Sequence, residues 1–176
     1  RLLLGPTYAS GTQVTGLTDD KIVTTAQNLK IKTYEGHMHN GVRILLMRHS
    51  RITRGLYRFR SSADALTNAI ILSRGALAMI EDPRYFLEAD TIVGNDWLTG
   101  LMPMLKKRDP VYAHAPHIQS AKMLHMIHNY GQIYQGRFFT NQDNVDLWPL
   151  LDLPGEYYQD VQDPNDDAFM SMTASP

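Results

Sequence analysis

The chain has 176 residues, 43% of them hydrophobic, which is enough for one compact domain with a core of its own. Its 17 basic and 18 acidic residues give a net charge of −1, so there is no basic field to attract nucleic acid or an anionic membrane surface. The lack of cysteine excludes disulfide bonds and thiolate metal sites. We therefore expect no nucleic acid and no membrane among its partners. The composition is compatible with a cytoplasmic location, which is our expectation, but does not by itself place the protein in a compartment.

The chain begins without Met in a strand-like segment, residues 1–5, which is too short to be the apolar part of a signal peptide. Another strand-like run, residues 168–174, lies directly before Ser175-Pro176. Between them, strand-like and helix-like segments alternate without an internal repeat, which is typical of an α/β protein. We expect both ends to have been cut from a longer protein.

The first predicted unit is a hairpin. Residues 42–47 form a short apolar run, and the preceding pair Asn40-Gly41 favours a tight turn. Residues 34–36 are therefore expected to pair with this run, at the edge of a sheet.

A long helix is predicted to follow. Apolar residues recur at helical spacing through residues 63–80. Ser61 or Ser62 is available to cap its start, and Asp82-Pro83 is available to end it.

The next segments predict one βαβ unit. Residues 91–94 and 122–127 are apolar enough for buried strands, and the residues between them can hold a helix and return the chain in parallel. The helix is expected to begin near Thr99, because Pro103 is tolerated in a first turn but would break a helix interior. Residues 108–119 are expected to be loop.

Residues 136–167 are rich in Asn, Asp, Pro and Gly, and we expect mainly surface connection with a short helix at residues 147–153. Their acidic stretch is expected to be a solvated loop rather than a calcium site. It comprises Asp160, Asp163, Asp166 and Asp167.

Two polar groups follow the predicted parallel strands. Asn95-Asp96-Trp97 comes directly after the first strand, and His128-Asn129 directly after the second. Open parallel sheets bind ligands at their carboxyl edge, so a carboxylate and an imidazole can converge there. Spacing alone supports equally well the interpretation that these are two ordinary strand ends, since polar residues must end any buried strand.

Two motifs resemble a known family. Residues 95–103, Asn-Asp-Trp-Leu-Thr-Gly-Leu-Met-Pro, resemble the His-Asp-Trp-His-Thr/Ala-Gly/Ala-Leu-x-Pro segment of glycogen and starch synthases. Residues 127–136, Ile-His-Asn-Tyr-Gly-Gln-Ile-Tyr-Gln-Gly, resemble their His-Asn-Leu-Ala-Tyr-Gln-Gly segment. The resemblance covers roughly residues 30–176, and residues 54–57, 73–77, 150–154 and 173–176 also fit it.

The resemblance implies a fold and an activity. The family has two Rossmann-like domains facing each other across a cleft, the GT-B arrangement, with the donor nucleotide held mainly by the C-terminal one. Residues 1–176 would then be a partial N-terminal domain, three-layered with a mainly parallel sheet. The implied activity is retaining transfer of glucose from ADP-glucose or UDP-glucose to the non-reducing end of an α-1,4-glucan, without a further cofactor. The implied partners are the nucleotide sugar, the α-glucan and the C-terminal domain of the same protein.

The family's functional positions transfer by motif. The Asp of Asp-Trp falls on Asp96 and the His of His-Asn on His128, and the resemblance implies that both are catalytic residues near the glucosyl unit. Trp97 is expected to pack behind the site. Substrate-binding roles are implied for Asn129, Tyr57, Gln135 and Gly136.

The chain also departs from the family pattern. Asn95 and Leu98 replace the histidines that flank Asp-Trp. The family's Lys-x-Gly-Gly-Leu loop and the C-terminal domain with its basic residues are absent, so the fragment alone is expected to be inactive. Two hypotheses stay open: a synthase-like enzyme, which we favour, and a catalytically degenerate domain that binds glucan or a partner. A GT-B enzyme acting on sucrose- or trehalose-type acceptors would share the fold but not usually both motifs.

Histidine is the commonest metal ligand, and the chain has several outside these motifs. Their spacings fit no tight site, so we expect no metal. Among them are His37, His39, His114, His117 and His125.

Overall fold

The computed structural model describes residues 2–6, 14–25, 28–52, 59–128, 136–142 and 145–172. Strands and helices pack around one hydrophobic cluster, to which a long helix contributes many of its side chains. The α/β class predicted from the sequence is therefore confirmed.

Four strands form the first sheet, and their order is β1-β4-β3-β2. They are β1 (Leu2–Pro6), β2 (Val14–Thr24), β3 (Lys30–Met38) and β4 (Arg43–Arg48). The predicted hairpin is confirmed, because β3 and β4 pair antiparallel across a turn in which Gly41 has a φ of +78°. Its predicted edge position is wrong: β1 pairs in parallel with β4 and β2 pairs antiparallel with β3, so the hairpin is central.

The long helix is confirmed as α1 (Ser62–Glu81). The Ser61 hydroxyl caps it by accepting the Asp64 N–H at 3.1 Å, and Asp82, in extended conformation, ends it. Among the described residues α1 is the helix long and apolar enough to cross a membrane, yet 83% of its most apolar window is buried inside the fold. Burial on several sides is typical of a core helix.

The βαβ unit is also confirmed. β5 (Thr91–Asn95) and β6 (Lys122–Met126) pair in parallel. Between them lie a 3-10 helix at Trp97–Thr99, α2 (Met102–Arg108), a 3-10 helix at Tyr112–His114 and α3 (Pro116–Ser120).

Three details of this unit differ from expectation. α2 has Pro103 in its first turn, as predicted, but begins at Met102 because a separate 3-10 turn ends at Thr99. Residues 108–119 contain helical turns where a loop was expected. The strands are not buried on both faces, since Val93 and Leu124 are 52% and 58% exposed.

The last part of the described chain contains short strands and two 3-10 helices. The 3-10 helix at Trp148–Leu151 falls where a short helix was predicted, and another spans Gly155–Asp160. The strands are β7 (Arg137–Phe139), β8 (Asn141–Gln142), β9 (Val145–Asp146), β10 (Gln162–Asp163) and β11 (Asp166–Ser171). β11 pairs antiparallel with both β7 and β10, so strand pairing in the described residues is mixed rather than mainly parallel.

The acidic stretch is not simply a solvated loop. Asp160 accepts a hydrogen bond from Arg108 Nε at 2.6 Å, and Asp163 accepts one from Arg137 Nε at 2.7 Å. Asp163 is 9% exposed. The expectation of full solvation is therefore wrong for these two carboxylates, because each neutralises an arginine from another segment.

A buried ion pair connects the helices. The side chains of Arg74 and Asp109 form it and are 1% and 3% exposed. Arg74 Nη2 also donates to the Leu151 carbonyl at 3.0 Å, and the Tyr112 hydroxyl donates to the Arg74 carbonyl at 3.1 Å. Asp109 Oδ1 in turn accepts the N–H groups of Val111 and Tyr112. Asp109, which the sequence places in a loop, thus joins α1 to the end of α2 and to the 3-10 helix at Tyr112–His114, and Arg74 adds a bond to the helix at Trp148–Leu151.

We predict that Asp109→Ala lowers the free energy of unfolding by about 3–5 kcal/mol, because it leaves the Arg74 charge buried without a counter-ion. Arg60→Ala is the control. It removes an ion pair whose arginine side chain is 69% exposed, so the change should stay below about 1 kcal/mol. Urea unfolding followed by circular dichroism measures both, and an Asp109→Ala chain as stable as the parent would contradict the structural role of the pair.

Candidate functional site

Asp96 and His128 lie at the same edge of one parallel strand pair. Asn95, the last residue of β5, is in register with Met126, the last residue of β6. Asp96 directly follows β5, and its N–H donates to the Met126 carbonyl at 2.8 Å. The sequence-based prediction that Asp96 and His128 follow two parallel strands at the same carboxyl edge is therefore confirmed.

The backbone of Asp96 is strained. Its φ is 62° and its ψ is 175°. This region of conformational space is accessible essentially to glycine alone, and another residue there costs on the order of 1–3 kcal/mol. Such strain persists only where the surroundings fix the residue, and it is concentrated at functional sites.

Three hydrogen bonds hold the Asp96 carbonyl oxygen. It accepts the Thr99 N–H and the Thr99 hydroxyl, each at 3.0 Å. It also lies 3.1 Å from His125 Nε2, which donates because a carbonyl oxygen can only accept. With the N–H bonded to β6, both sides of the Asp96 backbone are fixed.

The Asp96 carboxylate is fixed at one oxygen. Oδ1 accepts the Trp97 N–H at 2.9 Å and so caps the 3-10 helix at Trp97–Thr99. Among the described residues, no hydrogen bond to Oδ2 is found. The bond to Oδ1 thus orients the carboxylate.

Trp97 packs behind Asp96, as predicted. It is 8% exposed, and its ring makes edge contacts with Phe59 and Phe138 at centroid distances of 5.7 and 5.8 Å. Gly136 lies against the same ring with a φ of +65°, and a Cβ added there would come within 2.6 Å of Trp97. Glycine at 136 is therefore required by both backbone conformation and space.

His128 contacts Asn95 across the strand ends. His128 Nε2 lies 2.7 Å from Asn95 Oδ1, and both residues are exposed. With the amide oxygen as acceptor, His128 donates from Nε2. Asn95, which replaces a family histidine, thus retains a polar contact with the second motif.

The other predicted substrate-binding residues, Tyr57, Asn129 and Gln135, lie outside the described residues.

In the part of the chain that the structure describes, no group of three or more His, Asp and Glu side chains is arranged to hold a metal ion.

The sequence missed the contacts of Asn95, Thr99 and His125. The contact of His125 could have been predicted from strand register. The register aligns His125 with Gly94, beside the turn that follows Asp96. The strain at Asp96 has no signal in the residue types, since aspartate is common in unstrained strand ends and caps.

Comparison with known proteins identifies the class. A family model described as the starch synthase catalytic domain matches residues 6–174. The chain therefore belongs to the family of starch synthase catalytic domains.

A solved structure shares the fold. The chain is similar to the catalytic domain of starch synthase IV from Arabidopsis thaliana bound to ADP and acarbose, with a TM-score of 0.68 and 19% sequence identity. The match covers 97% of this chain and 35% of the Arabidopsis chain, so the chain spans about a third of that structure. A comparison with curated proteins gives no match.

The strain at Asp96 predicts an unusual order of stability. Asp96→Gly and Asp96→Ala both lose the cap on Trp97, but only alanine keeps a Cβ that disfavours this backbone conformation. We expect the glycine variant to be more stable than the alanine variant by about 1–3 kcal/mol in urea unfolding.

The matched control is Asp64 in the first turn of α1, where alanine should be the more stable of the two by about 1 kcal/mol. If alanine is also the more stable variant at residue 96, the Asp96 backbone is not strained.

Proposed function

We propose that the full-length protein is a retaining glucosyltransferase of the glycogen or starch synthase type. It transfers glucose from a nucleotide-glucose donor to the non-reducing end of an α-1,4-glucan. The chain supplies the N-terminal Rossmann-like half of a GT-B fold, and a C-terminal domain supplies most of the donor site. The observation that carries the proposal is Asp96, a family motif residue held in a strained conformation at the carboxyl edge of β5 and β6.

Asp96 is suited to stabilise positive charge. As the diphosphate leaves, oxocarbenium-like charge develops on the glucosyl unit, and a preoriented carboxylate lowers the energy of that state. The bond from the Trp97 N–H to Oδ1 fixes the carboxylate. We infer that Oδ2 faces the sugar. Because Asp96 acts through its charge or by orienting hydroxyls, the proposal requires no covalent intermediate.

His128 is proposed to bind a hydroxyl of the same glucosyl unit. Its contact with Asn95 uses Nε2, so Nδ1 is the ring nitrogen that we propose forms a hydrogen bond with a sugar hydroxyl. The family motifs support substrate contacts by four further residues, Asn129, Tyr57, Gln135 and Gly136.

The Arabidopsis structure bound to ADP and acarbose supports a nucleotide sugar and an α-glucan as the ligands. ADP-glucose and UDP-glucose are both kept as donors, and no other cofactor is proposed.

A second candidate function is glucan or partner binding without catalysis. It is favoured by Leu98, which replaces a family histidine. The leucine side chain has no polar group to offer a ligand, and the residue is only 8% exposed. Asn95, which replaces the other histidine, keeps a hydrogen bond to His128. Since Asp96 and His128 are both retained at one edge, we favour the enzyme.

Asp96→Asn in the full-length protein should lower the turnover number by a factor on the order of 10² to 10³ while leaving donor affinity nearly unchanged. The reason is that the lost charge acts mainly in the transition state. His128→Ala should lower turnover as well. α-Glucan elongation measures turnover, and calorimetry measures donor affinity separately.

Asp90→Asn is the matched control, because Asp90 is an exposed carboxylate just before β5, at the opposite end of the same strand. It should behave like the parent. Full activity of Asp96→Asn would remove the catalytic assignment and favour the binding function.

The 176-residue chain alone should catalyse no glucosyl transfer, because the proposed donor site lies mainly in the C-terminal domain. Calorimetric titration with ADP-glucose and with UDP-glucose should give little heat. Tight binding of either donor by the chain alone would show that the domain assignment is wrong.

A further inference from the structure

His125 lies on the covered face of the β5–β6 pair, next to the turn that follows Asp96. In the parallel register it is opposite Gly94, and both residues are less exposed than their neighbours Val93 and Leu124 on the other face. A Cβ added to Gly94 would come within 3.1 Å of the Thr99 hydroxyl oxygen. The missing side chain at residue 94 therefore leaves room for Thr99 and the turn to fold back over the strands.

The imidazole of His125 is confined by the same turn. A Cβ added to Gly100 would lie 3.1 Å from His125 Cε1 and would collide with the Met172 carbonyl. Gly100 therefore allows β6, the turn and the residue that follows β11 to meet in one place. The ring is held so that Nε2 is 3.1 Å from the Asp96 carbonyl oxygen.

We propose that His125 is a positioning residue for Asp96. It donates its Nε2–H to the Asp96 carbonyl, and together with the two Thr99 donors it keeps the Asp96 peptide in its strained conformation. Thr99 is part of the turn itself, whereas His125 belongs to β6. His125 is therefore the side chain that fixes the position of the strained peptide relative to the sheet.

The hydrogen bond from His125 to the Asp96 carbonyl determines where the Asp96 carboxylate lies. The side-chain direction follows from φ and ψ, so a relaxed peptide would turn the carboxylate away from the carboxyl edge of β5. The effect on turnover rests on the proposed function of Asp96. The effect on the Asp96 backbone does not, so the two can be tested separately.

A packing role for His125 makes a different prediction. If the ring only fills the space beside Gly100, a phenyl ring should hold the Asp96 backbone as well as imidazole does, and the flexible amide of glutamine should hold it less well. If the donated hydrogen bond matters, His125→Phe loses it while keeping ring volume, and His125→Gln restores a donor. The pair of variants therefore separates the two roles.

The first measurement is made by NMR on the 176-residue chain. In the parent, the His125 ring should carry its proton on Nε2, and the strong NOE between the amide and α protons of Asp96 should report a positive φ, which brings these two protons close together. His125→Phe should weaken that NOE, and His125→Gln should keep it near the parent value. His117→Phe, at an exposed histidine of α3, is the control and should leave it unchanged.

The second measurement is the kinetics of the full-length protein. His125→Phe should lower the turnover number by a factor on the order of 10 to 100 with donor affinity retained, because the carboxylate is misplaced rather than lost. His125→Gln should recover most of that loss. If the NOE within Asp96 responds as predicted while Asp96→Asn remains active, the positioning role stands and the proposed function fails. The proposal would be overturned if the parent His125 ring carries its proton on Nδ1 and none on Nε2. It would also be overturned if the Phe and Gln variants give equal results. The measurement on the parent ring tests the proposal even if a variant does not fold.

Discussion

The buried ion pair between Arg74 and Asp109 is the interaction on which the arrangement of the helices depends. Arg74 lies within α1, and removing its charge from water is tolerable only when the Asp109 carboxylate and the Leu151 carbonyl are both in place. These partners come from segments far apart in the sequence. The pair therefore forms only in the assembled fold, and it selects one packing of α1, α2 and the Trp148–Leu151 helix.

The same helix supports the candidate site. Ser73, the neighbour of Arg74, donates its hydroxyl proton to the Leu98 carbonyl at 3.3 Å, within the turn that follows Asp96. Trp97 packs into the core on that side, and β6 binds the Asp96 backbone on the other. The core thus supplies the stability that a strained residue requires, and the strain orients a carboxylate at the carboxyl edge of the sheet.

The sequence predicted the features whose signals are local. The pair Asn40-Gly41 predicted the hairpin, and helical spacing with a capping serine predicted α1. Two motifs identified Asp96 and His128. It could not predict the central place of the hairpin, because that depends on which strand pairs with β4. It also could not predict that Asp109 is buried, since the arginine that requires it is on another helix. The φ of Asp96 and its bond to His125 depend on strand register and on tertiary contacts.

A crystal structure of the full-length protein with a nucleotide-glucose analogue and a short α-glucan tests the central claim most directly. We predict that Asp96 keeps its positive φ and that its carboxylate lies about 3 Å from a hydroxyl of the glucosyl unit, with His128 Nδ1 facing the same sugar. A glucosyl unit bound away from the carboxyl edge of β5 and β6 would contradict the account.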